Sequence, residues 1–246
     1  MSGTLEGKVA FITGAGRGIG RAIAESYGMA GASVCCVART LSEIQSAAAA
    51  IEARGSRALA VAADVRDLGA VGEAFDRTAQ AFGGIDIVVI NAGVITTNVP
   101  VESSDPRMWR ETLETNLLGA YYCARAAIPH LRRRGSGKMI MVGSGLGHRG
   151  RSGGSAYSSS KAGLWMLTRV LAQELAQYQI SVNELVPGPV RTSIGTSAGA
   201  VVGDTPLAET EWVKTPVDVV PLALFLATQP DVGPTAQSYS LMRRDG

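Results

Sequence analysis

The sequence predicts a doubly wound α/β fold on a parallel sheet, and three observations carry that expectation. Short apolar runs alternate with helical stretches along most of the chain. Two of the runs, residues 34–37 and 87–90, have no polar alternation, which marks strands covered on both faces. The first run leads at once into a glycine-rich turn that opens a helix. Strands joined through helices in this way make right-handed βαβ units.

The elements follow in order. A strand over residues 8–13 precedes the turn at 14–20 and a helix over 21–30. A second strand at 34–38 is followed by a helix over 41–54, where four consecutive alanines reflect helix propensity. A third strand at 58–62 precedes a helix over 68–82, and a fourth strand lies at 86–90. Residues 106–134 read as one long helix. Its final Arg132-Arg133-Arg134 complements the helix dipole. A fifth strand at 138–142, a long helix over 155–177 and a sixth strand at 180–186 complete the regular pattern. Residues 188–214, rich in Gly, Ser, Thr and Val, are too long for an ordinary connection and read as a lid. Thr215-Pro216 has the chemistry of a helix start, and Pro221 is expected to bend that helix or remove a bond. No linker, composition shift or repeat divides the chain, so residues 1–246 read as one domain containing the lid.

Composition narrows the function. Of 246 residues, 46% are hydrophobic and 18% charged, which suits a large core and argues against disorder. A net charge of +2 gives no basic face for nucleic acid or an anionic membrane. No apolar stretch is long enough to span a bilayer, and residues 1–8 lack the apolar centre of a signal peptide. Cys35, Cys36 and Cys123 show no CxxC spacing and read as small buried hydrophobes in a reducing compartment, so a cytoplasmic location is expected. The two histidines, His130 and His148, lie far apart, and no metal site is expected.

Three motifs carry chemistry. Gly14, Gly18 and Gly20 form a G-x-x-x-G-x-G turn directly after the first strand. Glycine there lets backbone approach a diphosphate, and the helix N-terminus supplies N–H donors. The spacing differs from the usual dinucleotide G-x-G-x-x-G. Asn91-Ala92-Gly93 ends the fourth strand, where open α/β sheets bind ligands. Ser144 ends the fifth strand, and Tyr157 and Lys161, four residues apart, share one helix face. An ordinary tyrosine, with a pKa of about 10, is too weak an acid/base at neutral pH; a nearby ammonium favours its phenolate. Ser144 is placed to orient a carbonyl oxygen. Taken singly, each motif also fits a plain turn or an ordinary amphipathic helix.

Together, and in this order, the glycine turn, Asn91-Ala92-Gly93, Asn116, Ser144, Tyr157-x-x-x-Lys161 and Pro187-Gly188 resemble the classical short-chain dehydrogenase/reductase family. The resemblance spans residues 8–241 and, within the family, is similar to 3-oxoacyl reductases. It implies a Rossmann-type fold and hydride transfer between a nicotinamide cofactor and a carbonyl or secondary alcohol, a 3-oxoacyl thioester among the candidates. It implies roles as well. Tyr157 is the acid/base. Lys161 lowers its pKa and holds the nicotinamide ribose. Ser144 orients the substrate, and Asn116 holds a water that relays protons to Lys161. Gly14, Gly18, Gly20 and the Ile19 backbone lie under the diphosphate. Asp64 and Val65 contact adenine, and Pro187, Gly188, Val190 and Thr192 hold the nicotinamide end. A non-catalytic dinucleotide-binding sensor is the alternative from another class, but it would be expected to lose Tyr157, Lys161 or Ser144.

Cofactor choice is read from the end of the second strand. An acidic residue there holds the NAD ribose, whereas arginine accommodates the NADP phosphate. Ala38 stands where NAD-specific members usually carry Asp, Arg39 follows, and Arg17 lies in the glycine turn. NADP(H) is therefore expected over NAD(H), with an NAD-dependent alcohol dehydrogenase as the alternative. Leu164-Trp165-Met166-Leu167 covers every side of its helix, and the 106–134 helix carries a similar excess in Trp109, Leu113, Leu117, Leu118, Tyr121 and Tyr122. These helices are expected to form a symmetric interface in a homodimer or homotetramer, and the resemblance favours the tetramer. The chain ends without the family's usual apolar-Asp-Gly-Gly pattern, which bears on substrate and interface contacts.

Overall fold

A computed structural model describes residues 3–194 and 211–243. Seven strands form one parallel sheet in the order β3-β2-β1-β4-β5-β6-β7. They are β1 (Val9–Thr13), β2 (Ser33–Ala38), β3 (Ala58–Ala62), β4 (Ile87–Ile90), β5 (Gly137–Val142), β6 (Ile180–Val186) and β7 (Ser238–Ser240). The unalternating strands are buried on both faces, as their composition requires. Helices α1 (Gly18–Met29) and α2 (Leu41–Glu52) pack on one face. Helix α3 (Leu68–Phe82) packs on the other.

Side-chain parity divides the core between these faces. Phe11, Cys35, Val88 and Met139 lie on the face covered by α3 and the helices Gly119–Arg134 and Ser155–Leu175, where Phe11 stacks on Phe75 with ring centroids 3.8 Å apart. Ile12, Cys36, Val89 and Ile140 face α1 and α2. All three cysteines are buried and unbridged. Burial pushes each thiol up to about 12, consistent with packing rather than reactivity.

The helix expected over residues 106–134 is not uniform. It divides into α4 (Pro106–Leu113), a π-helical turn (Glu114–Leu118) and α5 (Gly119–Arg134). The wide turn contains Asn116; π-turns within helices commonly sit at functional sites. The terminal arginines do more than face the dipole. Arg134 pairs with Asp86, Arg133 meets His130 Nδ1 at 2.7 Å, and Arg132 stacks over Tyr178. Asp86 also accepts the Val9 amide at 2.8 Å, which joins the start of β1 to the end of α5.

Two short-range expectations are corrected. Helix α1 begins at Gly18 rather than residue 21, so the last glycines of the turn form its first turn. Pro221 neither bends a helix nor costs a bond. Residues Pro216–Val219 form a 3-10 turn, and Pro221 falls in the first turn of α8 (Val220–Ala227), where no N–H is needed. Thr215 donates its backbone N–H and its hydroxyl to Asp218, 2.7 Å away in each case. Helices α6 (Gly145–Arg149) and α7 (Ser155–Leu175) complete the set.

Of the expected lid, residues 195–210 lie outside the described residues. Its two ends are joined by a bridge between Val190 and Lys214. The strand order reverses between β1 and β4, and the crevice at their C-terminal ends is the natural ligand site of such a sheet.

Candidate active site

The crevice begins where β1 meets α1. Gly14 and Gly18 adopt left-handed φ values of +66° and +57°. A Cβ on Gly20 would collide with the Gly14 carbonyl and the Asn91 side chain. Asn91 pins this turn: its Nδ2 donates to the Thr13 and Gly14 carbonyls at 2.9 and 3.3 Å. The Asn91 and Ala92 amides donate to Thr13 Oγ1 at 2.9 and 3.0 Å. Thus Asn91-Ala92-Gly93 fixes the glycine turn against β4.

A cavity of about 180 Å³ opens above the turn. Its walls include Gly14, Arg17, Gly18, Ile19, Arg39, Asp64, Val65, Asn91, Ala92, Gly93 and Thr192. Gly20 is not in the wall; it is buried beneath the turn it permits. Asp64 commits its carboxylate to Arg66, with contacts of 2.7–3.1 Å, and those bonds hold it below the usual carboxylate range. Glu43 also lines the cavity, packed so closely over Gly16 that a Cβ there would lie 2.8 Å from its Oε2. Sequence spacing gave no reason to choose Glu43, because α2 alone brings it to the turn. A glycine cradle at a helix N-terminus, beside arginines, fits a dinucleotide.

A second cavity of about 190 Å³ shares Ile19, Asn91 and Thr192 with the first. Ser144, Tyr157, Lys161, Pro187, Gly188 and Val190 meet in its wall. Ile95, Leu146, Ile194 and Met242 add apolar surface, and Arg149 and Arg151 add two guanidinium groups. Met242 belongs to the unusual C-terminal segment, which therefore reaches this cavity.

Ser144 caps α6, its hydroxyl accepting the Leu146 amide at 3.2 Å. Tyr157 lies beside it in the same cavity wall. Burial raises the Tyr157 phenol above its ordinary pKa, and the Ser144 hydroxyl opposes that rise. The expected depression by Lys161 is not what the geometry gives. Lys161 Nζ donates to the Val142 carbonyl at 2.8 Å and lies 5.9 Å from the Tyr157 ring centre. The ammonium is anchored to strand backbone instead of to the phenol. Lys161 is 4% exposed, and burial lowers its pKa to about 8, with Glu184 opposing.

Asn116 is buried behind the cavities rather than in their walls. Its Oδ1 accepts the Val94 amide at 2.8 Å, and its Nδ2 donates to the Val94 carbonyl and Ser160 Oγ at 2.9 and 3.1 Å. A Cβ on Gly93 would lie 3.3 Å from Asn116 Oδ1 and 3.8 Å from Lys161 Nζ, so the two residues flank that glycine. Among the described residues no group of three His, Cys, Asp or Glu side chains is disposed to hold a metal, and no helix is long and apolar enough to cross a membrane.

A sequence model of the short chain dehydrogenase family matches residues 8–201. A short-chain type dehydrogenase/reductase of Picea abies is 37% identical, covering 91% of this chain and 87% of its own. The 2,3-dihydro-2,3-dihydroxybenzoate dehydrogenase of Bacillus subtilis (strain 168) is 36% identical, covering 80% and 75%. The crystal structure of carveol dehydrogenase from Mycobacterium avium in complex with NAD superposes with a TM-score of 0.89 at 26% identity, covering 97% of each chain. With its parallel sheet and the convergence of Ser144, Tyr157 and Lys161, the chain belongs to the short-chain dehydrogenase/reductase family of oxidoreductases.

Proposed function

We propose that this protein is an NADP(H)-dependent reductase of a ketone, or dehydrogenase of the corresponding secondary alcohol, with Tyr157 as proton donor and acceptor. The convergence of Ser144, Tyr157 and Lys161 on one partly apolar cavity carries the reading. The cofactor supplies or accepts the hydride. Gly14, Gly18, Ile19 and the N-terminus of α1 hold its diphosphate, and Asp64 and Val65 border the adenine end. Pro187, Gly188, Val190 and Thr192 border the nicotinamide end. Ser144 orients the substrate oxygen, Tyr157 exchanges its proton, and Lys161 holds positive charge beside that exchange. Asn116 supports the Val94 backbone and, through it, the Gly93 wall. Ser144 and Tyr157 line the same cavity wall, which supports their joint action on one oxygen.

Arg17 and Arg39 at the far end of the first cavity favour a 2′-phosphate. Glu43 in the same wall is the observation that favours NAD(H) as a second reading. On the substrate side, the apolar lining suits a 3-oxoacyl thioester or a ring ketone, and Arg149 and Arg151 suit one bearing an anionic group. A panel of 3-oxoacyl thioesters and of cyclic ketones with and without a carboxylate, each assayed with NADPH and NADH, tests the proposal. Failure to turn over any of them, with stoichiometric dinucleotide binding, would leave a sensor in its place.

The helical face of α4, α5 and α7 supports assembly. Trp109, Leu113, Leu117, Leu118, Tyr121 and Leu167 line a wide apolar groove of about 1050 Å³. Leu118 and Tyr121 are 40% and 44% exposed there. A twofold copy of the same face covers such a groove, as in a homodimer or one half of a homotetramer. A small-molecule substrate and a cytoplasmic location complete the reading.

A further inference from the structure

Strand β6 is buried at every residue, yet its centre carries an acid: Glu184 is 0% exposed. A carboxylate in a sheet interior is costly unless it is hydrogen-bonded and charge-paired. Glu184 is both. His148 Nε2 lies 3.0 and 3.3 Å from its two oxygens, and Ser238 Oγ donates to Oε2 at 2.5 Å. The carboxylate presses so closely on Gly143 that any Cβ there would collide with it. Gly143 joins Val142, whose carbonyl receives the Lys161 ammonium, to Ser144. His148 rests against Trp165, one turn beyond Lys161 on α7, with ring centroids 5.1 Å apart. Its side chain is 30% exposed, so the pair reaches the surface.

We propose that Glu184 is a positioning residue that balances the charge of Lys161 and braces the Val142–Gly143–Ser144 strand end, with His148 and Ser238 holding its carboxylate in place. Among the described residues, the charged or titratable groups facing it are His148 from α6 and Lys161 from α7. β7 contributes the Ser238 hydroxyl, and Gly143, just beyond β5, contributes backbone. The negative charge favours protonated Lys161 and so opposes the effect of burial. Nothing in the Tyr157 chemistry by itself calls for an acid at this point, although the inference rests on that chemistry for its kinetic readout.

The test compares wild type with Glu184→Gln, Glu184→Val and Glu184→Asp in reductive turnover across pH 6–10. Gln keeps the shape, and Val gives the strand an ordinary β-branched residue; because each removes one partner of a buried contact, folding of both is first checked by denaturant melts. Removing the charge should move the alkaline limb of kcat down by about one pH unit, a loss of about tenfold at the alkaline end. Near pH 6.5, kcat and the cofactor KM should stay within about threefold of wild type. Asp should restore most of the limb. A limb unmoved in a folded Gln or Val variant, or a uniform loss at all pH values, overturns the proposal. NMR titration of the Lys161 ammonium in wild type and the Val variant gives a readout independent of turnover. A lower lysine pKa in the variant supports the charge pairing even if Tyr157 proves dispensable, and an unchanged one rejects it.

Discussion

Lys161 donates its ammonium to the Val142 carbonyl at 2.8 Å, while its Nζ stands 5.9 Å from the centre of the Tyr157 ring. The lysine is thus held by the end of β5, two residues before Ser144, rather than by the phenol. Burial lowers its pKa to about 8, so the charged form is complete well below that pH and is lost as pH rises through it. Reductive kcat should therefore decline above about pH 8. A rate that stays flat to pH 10 would contradict the assigned role.

Tyr157→Phe keeps the ring and removes the proton. Its turnover should fall by at least about two orders of magnitude, the usual contribution of a positioned acid/base, with cofactor binding largely retained. Lys161→Ala should lose both rate and cofactor affinity, because it removes charge at the proton transfer and a group in the nicotinamide-side wall. Steady-state kinetics with parallel cofactor titration separate the two. Near-normal turnover by Tyr157→Phe would reject the mechanism.

Gly20 is the least forgiving glycine of the turn. Its α-carbon faces the Gly14 carbonyl and the Asn91 amide, and neither can move without breaking the Thr13–Asn91 bonds. Gly20→Ala should cost roughly 1–3 kcal/mol of stability and weaken dinucleotide binding, even though Gly20 lies outside the cavity wall. Denaturant melts and cofactor titration read the two effects. A variant with wild-type stability and affinity would show that the turn is looser than its contacts indicate.

The strands were legible because a buried parallel strand shows itself as an unbroken apolar run, as Val34 to Val37 and Ile87 to Ile90 do. The meeting of Ser144, Tyr157 and Lys161 was legible through the family resemblance; locally, only the shared helix face of Tyr157 and Lys161 could be read. Three features were not. The π-turn at Asn116 occurs where its side chain bonds Val94, 22 residues earlier, a contact no local pattern records. Glu43 reaches the cofactor cavity through the packing of α2, and its sequence neighbours look like any exposed helix. Glu184 did leave a signal, a lone acid within Ile-Ser-Val-Asn-Glu-Leu-Val, but its partners His148 and Ser238 are 36 and 54 residues away.

The apolar groove between α4, α5 and α7 gives the assembly prediction. Leu118 and Tyr121 are exposed on its rim, on the side away from the sheet. Replacing both by Asp should place like charges opposite one another across a twofold contact and shift sedimentation toward monomer. The buried parts of α5 do not include these positions, so the fold should survive. An unchanged sedimentation profile would place the interface elsewhere.

The proposed cofactor preference turns on Arg39. This arginine stands exposed just beyond β2, with Arg17 and, from the first turn of α2, Glu43 in the wall of the same cavity. A guanidinium binds a 2′-phosphate through charge-assisted bonds that a ribose hydroxyl cannot return in full. Arg39→Ala should therefore raise the KM for NADPH about tenfold, equivalent to about 1.4 kcal/mol, and leave NADH kinetics nearly unchanged. The acid supplies the opposing arm. Glu43→Gln removes negative charge beside Gly16, so it should improve kcat/KM for NADPH relative to NADH if the phosphate sits there. Should wild type instead show the higher kcat/KM with NADH, and Glu43→Gln lower it, Glu43 would be the ribose partner. The preference for NADP(H) would then be wrong, while the fold and the Tyr157–Lys161 chemistry would stand.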